Sequence, residues 1–173
     1  MRILFPFAKR FIAGIDIHGS SLVFQNHLDQ NFTVIANLVG ENTQSLDVIE
    51  SNYLEYEKLL KQFSDEAFTI SVKLTSIGMD YSYEETIKNL IQLAQLAKIN
   101  NQMIRLDMEG STYTQRTIDV CKAIHSEFKG SVGITLQANL FRTETDLLDL
   151  IRNGISIRPV SYTHLTLPTI LRV

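Results

Sequence analysis

The sequence predicts an α/β fold in which a parallel sheet is covered by helices. Three observations carry the prediction. Short apolar, partly β-branched runs alternate with longer stretches whose apolar residues recur every three or four positions. The alternation repeats through the chain and is beginning again near Ile155, and strands that alternate with helices form parallel sheets. Runs such as Ile134-Thr135-Leu136 are apolar on both sides, as strands buried on both faces require.

Taken in order, residues 1–30 have no clear period and read as an N-terminal helical arm preceding the main domain. Thr33 to Val39 is the first strand candidate, and Gly40 punctuates it. From Ser45 to Phe63, the residues Leu46, Ile49, Tyr53, Tyr56, Leu60 and Phe63 fall on one helical face. Phe68 to Leu74 is the second strand. Ser82 and Glu85 have the spacing of a capping box, with Ser82 as N-cap and Glu85 reaching back. The helix they open directs Ile87, Leu90, Ile91, Ala94 and Ala97 inward. Met103 to Met108 is the third strand, followed by a helix from Tyr113 to Phe128. Val132 to Gln137 is the fourth, followed by a helix from Thr143 to Arg152 that Asn153 and Gly154 stop. A fifth strand occupies Ile155 to Arg158.

Bulk composition narrows the function classes. The chain has 173 residues, 45% of them hydrophobic and 20% charged, ordinary proportions for one globular domain. A net charge of −3 argues against a nucleic-acid partner, which favours a basic surface. The single cysteine, Cys121, allows no intrachain disulfide and suits a reducing cytoplasmic location; it reads as a small buried hydrophobe on a helix. Met1 to Arg10 sketches a signal peptide, but Pro6 breaks the apolar run and Lys9 and Arg10 end it. No stretch approaches the roughly 18 apolar residues that span a bilayer, so a soluble protein is expected.

The pattern leaves two architectures open, a doubly wound open sheet and a barrel. The open sheet favours a Gly-rich phosphate turn after the first strand, whereas Leu38-Val39-Gly40-Glu41-Asn42 holds one glycine. A complete barrel needs eight units and about 250 residues. The polar residues at the strand ends are the candidates for chemistry: Glu41, Lys73, Asp107, Gln137 and Arg158. Lys73 is costly to bury unpaired, and Asp107 on the adjacent strand is its expected ion-pair partner. His18, His27, His125 and His164 lack metal-ligand spacing. Ser20 and Ser21 lack the context of a nucleophile elbow, and Glu84-Glu85 suits the first turn of a helix.

Several segments, in order, resemble the first half of the proline dehydrogenase family: Arg10 to Gly14, Asn37 to Glu41, Ser71 to Asp80, Ile104 to Thr114 and Val132 to Ala138. Each is a weak signal alone; their order and spacing make the resemblance specific over residues 8–158. It implies a TIM-like (β/α)8 barrel, incomplete here, with about four and a half β/α units. It also implies a flavoprotein that oxidises L-proline to Δ1-pyrroline-5-carboxylate by passing hydride to FAD, with a quinone or similar electron acceptor. By position, Lys73 would bind the substrate carboxylate, and Asp107 would orient the substrate-binding charges. Met108, through its backbone, and Gln137 would contact the flavin ring, and Arg158 would sit beside its reactive edge. The resemblance implies no metal.

Two positions depart from the family pattern: Asn37 stands where the family usually has aspartate, and Asn139 where it has tyrosine. From Pro159 onward the family likeness ends. Val160 to Thr169 instead resembles the in-frame translation of a sequencing adapter, so residues 159–173 are expected to be a non-native tail and residues 31–158 the first half of the barrel. On that expectation the fragment is inactive alone, because the family's paired arginines and most FAD phosphate contacts lie in the second half. Its open sheet edges would favour self-association, and peripheral attachment at the inner membrane stays open for the intact enzyme. The alternatives are a Schiff-base barrel enzyme using the Lys73 amine and a non-catalytic half-barrel.

Overall fold

The computed structural model describes residues 12–14 and 17–161. The signal-like segment, His164 and the tail beyond Ser161 lie outside the described residues. The element order is α1 (Ile17–Asp29), β1 (Val34–Asn37), α2 (Leu46–Gln62), β2 (Phe68–Val72), a short 3-10 turn (Leu74–Ile77), α3 (Tyr83–Ile99), β3 (Met103–Leu106), α4 (Thr114–Glu127), β4 (Val132–Gln137), α5 (Thr143–Arg152) and β5 (Ser156–Val160). The strands pair in sequence order, β1-β2-β3-β4-β5, all in parallel. Sequential parallel order with one helix per crossover is the build of a (β/α) barrel, not of a doubly wound sheet, whose order reverses.

Period-two alternation divides the sheet into two faces. Val34, Ala36, Phe68, Ile70, Val72, Ile104, Leu106, Val132, Ile134 and Leu136 join the core with residues of the covering helices such as Tyr56, Leu60, Leu90, Ala94, Cys121, Ile124 and Leu150. The other face carries Asn37, Ser71, Arg105, Asp107, Thr135 and Arg158. Arg158 on β5 donates to Ser71 Oγ on β2 at 3.3 Å. In a flat sheet those strands would stand three spacings apart, about 14 Å, so the contact requires the sheet to curl around its polar face.

The described helix of the arm, α1, belongs to the packed unit. Leu28 of α1 is buried, and Phe24 meets Phe63 and Phe68 edge-on at 6.0 and 5.6 Å between ring centroids. Phe24 is partly buried, so its contribution falls below the roughly 1.5–3 kcal/mol of a fully buried phenylalanine. Among the described residues, no helix is long and apolar enough to cross a membrane.

Four local expectations need correction. Leu46 is 50% exposed, because a helical stripe fixes a side chain's direction without guaranteeing that anything packs there. Ser82 caps α3 by accepting from the Glu85 N–H at 3.2 Å, but Glu85 does not reach back. The Ser82 N–H already donates to Gly78 O at 2.8 Å, and the Glu85 carboxylate pairs with Lys88. The first three strands are each shorter than the apolar runs that announce them. The fifth runs beyond Arg158, with Pro159 and Val160 in register with Leu136 and Gln137; a proline, lacking its N–H, is tolerated because β5 lies at the sheet edge.

Candidate active site

The polar face converges on Asp107, the residue immediately after β3. Its backbone N–H donates to Val72 O at 2.8 Å, which extends the β2–β3 ladder by one bond and fixes the carboxylate at the mouth of the sheet. Asp107 Oδ1 accepts from Arg158 Nη2 at 3.0 Å, and Oδ2 accepts from Asn37 Nδ2 at 3.1 Å. Side chains from β1 and β5 therefore meet at the carboxylate that follows β3, and Ser71 of β2 shares the Arg158 guanidinium. Thr135, paired in register with Arg158, completes the row. Its Oγ1 and Arg158 Nε are buried without a hydrogen-bond partner among the described residues.

Lys73 follows β2 directly and starts the 3-10 turn. Its Nζ lies 3.2 Å from Glu41 Oε2. The expected Lys73–Asp107 ion pair is not formed. Arg158 and Asn37 take the Asp107 oxygens, while the long lysine stem carries the ammonium outward to the loop after β1. The lysine is also not buried, with a quarter of its side chain exposed. Met108 is buried next to Asp107. Gln137 ends β4, and its carbonyl receives the Thr143 hydroxyl. Glu41, Lys73, Asp107 and Gln137 thus all lie at or just beyond the C-terminal ends of their strands. Arg158 is the exception, being the central residue of β5.

Sequence reasoning missed two charged residues. Arg105 lies one row deeper than Asp107. It donates to Ile134 O, Ser156 O and Ser156 Oγ at 3.3–3.4 Å, and has no carboxylate partner among the described residues. Burial, then the neighbouring Arg158 charge, lowers its pKa. Gly133 makes room for it, since a Cβ there would lie 3.3 Å from Arg105 Nη1 and 2.6 Å from Ser156 O. Glu109, 9% exposed, accepts from the Thr75 N–H at 3.2 Å and from the Thr75 hydroxyl. Burial raises its pKa; the Thr75 hydrogen bonds and the Lys73 charge oppose the rise. The available signal for Arg105 was its two-residue spacing from Asp107, which puts both charges on one side of an extended run; no such signal marked Glu109, which lies beyond the end of β3.

His125 is buried, with Nδ1 2.9 Å from Val132 O. Among the described residues, no three His, Cys, Asp or Glu side chains are grouped to hold a metal ion.

The family model described as Proline dehydrogenase matches residues 23–155. Proline dehydrogenase 2 of Bacillus subtilis is 28% identical over 145 residues, covering 83% of this chain and 48% of the relative. Proline dehydrogenase 1 of the same organism is 25% identical over 142 residues, covering 81% and 47%. A crystal structure of a point mutant of proline utilization A from Bradyrhizobium japonicum superposes with a TM-score of 0.65 at 19% identity, over 74% of this chain and 16% of that one. The chain spans about half the length of the curated relatives it matches.

Proposed function

The chain belongs to the proline dehydrogenase family, and from that premise we propose that its rim of strand ends is part of a site oxidising L-proline to Δ1-pyrroline-5-carboxylate with FAD. The observation that carries the reading is the convergence of Asp107, Arg158, Asn37 and Ser71 at the mouth of a curled parallel sheet, where (β/α) barrels keep their active sites.

Making the ring C=N bond removes a hydride from carbon and a proton from the amine nitrogen. FAD, when bound, supplies the hydride acceptor. The residues present fit such a group. The buried Arg158 Nε and Thr135 Oγ1 are donors without partners among the described residues, and the edge of a flavin ring offers acceptors. Arg158 would stabilise negative charge developing there, as a preorganised cation costs nothing to reorient. Asp107 holds that guanidinium in place. Gln137 and the Met108 backbone would complete the ring contacts from β4 and β3. Lys73 would bind the substrate carboxylate, with Glu41 keeping its ammonium at the rim until substrate displaces that contact.

The Schiff-base alternative loses its support: Asp107, its intended proton-transfer partner, is held by Arg158 and Asn37. We further propose that residues 159–173 are a non-native tail and that the 173-residue chain alone turns over little or no proline. The test is to sequence the source DNA past the Arg158 codon, express the open reading frame it reveals, and assay L-proline-dependent dye reduction with added FAD. Turnover that is lost in Asp107→Ala and weakened in proline affinity by Lys73→Met is expected. A flavin-loaded product that ignores proline would overturn the reading.

A further inference from the structure

Three consecutive strand ends carry the proposed site residues Glu41, Lys73 and Asp107, and one buried carboxylate ties all three segments together. We propose that Glu109 is a positioning residue that fastens the loops after β1, β2 and β3 to one another and so fixes where the Lys73 ammonium points. Its significance for proline oxidation rests on the function proposed above; the fastening itself does not.

Both Glu109 oxygens are engaged by one residue. Oε2 accepts the Thr75 N–H at 3.2 Å, and Oε1 accepts the Thr75 hydroxyl proton. The same hydroxyl oxygen accepts the Asn42 N–H at 2.8 Å, and Thr75 O accepts the Thr43 N–H at 3.3 Å. Glu109 stands two residues after Asp107, Thr75 two after Lys73, and Asn42 one after Glu41. Lys73 is thereby held from two sides. Its carbonyl accepts from the Ser76 N–H at 3.0 Å and the Ser76 hydroxyl at 2.7 Å. Its Nζ is paired with Glu41, whose neighbour Asn42 is bound to Thr75. The counterion's segment is thus tied to Thr75, the neighbour of the Ser76 that holds the lysine's own carbonyl.

The chemistry of the anchor argues for a role beyond packing. A buried carboxylate is costly, and well-packed apolar residues often replace buried charges without loss of stability. What an apolar residue cannot do is accept the Thr75 N–H and hydroxyl together. The Thr75 hydroxyl has one proton, given to Glu109, so its lone pairs face Asn42. Removing the carboxylate frees that proton to turn, and the link from β3 through β2 to β1 opens.

The test uses the 173-residue chain, with Glu109→Ala and Thr75→Val, the latter keeping the N–H donor but losing the hydroxyl bridge. Lysines are labelled with dilute acetic anhydride and quantified by peptide mass spectrometry, with Lys61 and Lys88 as internal references; hydrogen exchange follows the Asn42 amide. In both variants we expect Lys73 to label several-fold faster than in the parent while the references stay constant. Loss of a single hydrogen bond should speed Asn42 exchange roughly tenfold. Unchanged Lys73 labelling and Asn42 exchange in a variant that keeps its helical circular dichroism would overturn the proposal. If Glu109→Ala fails to fold, Thr75→Val decides it by the same two readings. Failure of the proline reading shows separately, as absence of L-proline-dependent dye reduction in the completed enzyme.

Discussion

The Asp107–Arg158 pair can be measured as a free energy. Asp107 is 18% exposed and Arg158 30% exposed at their side chains, with 3.0 Å between Oδ1 and Nη2. A hydrogen bond to a charged group contributes about 1.5–3 kcal/mol, and partial exposure places this one near the lower figure. Asp107→Ala also removes the Asn37 bond, a contribution of about 1 kcal/mol. It leaves Arg158 facing Arg105 with only Ser71 as partner among the described residues. The expected cost is therefore about 2–3 kcal/mol. Arg158→Met should cost less, because Asp107 keeps the Asn37 hydrogen bond. A double-mutant cycle followed by urea unfolding and far-ultraviolet circular dichroism should give a coupling of about 1.5 kcal/mol. With a urea m-value of about 2 kcal/mol/M, Asp107→Ala should lower the midpoint by about 1 M. The Lys122–Asp149 pair is the control: at 37% and 45% exposure, water screens it and its coupling should be too small to resolve. An equally small coupling for Asp107–Arg158 would refute the view that the curled face desolvates this pair.

Three further outcomes follow from the same geometry. Cys121 is fully buried and its thiol is pushed up to about 12 by burial, so a disulfide reagent should leave it untouched in the folded chain and titrate it fully in urea; rapid native labelling would contradict its placement. Gly133→Ala should destabilise by about 1–3 kcal/mol, since its Cβ would meet Ser156 O at 2.6 Å, and a melting temperature equal to the parent's would show that β5 does not sit against β4 as described. Burial holds Glu109 above its ordinary 4.5. A raised folded pKa gives stability that is present below the unfolded value and is lost as pH rises through the folded one. The stability of Glu109→Gln relative to the parent should therefore improve as pH climbs from about 4.5 upward; a difference that is flat with pH would count against the burial of an ionisable group at this position.

How much of this was legible in the sequence differs between the two faces of the sheet. The helix-facing side is written in single residues. Ile104, Leu106, Ile134 and Leu136 are apolar whatever lies beside them, and all are buried. Tyr56 reads as core from its helical spacing, and it is fully buried. What spacing did not reveal is its hydroxyl donating to Ser71 O at 3.1 Å. Leu59 and Leu93 fell outside the narrow stripes drawn for their helices, because a helix packed on a sheet buries an arc wider than one row.

The polar face is written in pairs, and pairs depend on curvature. Adjacent strands suggested Lys73 with Asp107, a rule that holds for neighbours in a flat sheet. Once the sheet curls, β5 comes within reach of β2 and β3. The arginine, with several donors fixed in a plane, then outcompetes the single ammonium for the carboxylate. Lys73 is left to the loop after β1, where Glu41 meets it. Glu109 was obscured for a related reason: beside an aspartate it reads as one more rim charge, and only the fold makes it a buried acceptor for Thr75. The residue types at the site were therefore legible, while their partners waited on a contact between strands three apart in the sheet. That order of dependence is physical. Apolar burial is additive and local to each side chain, whereas a charge network exists only after the backbone has brought its members into one low-dielectric space.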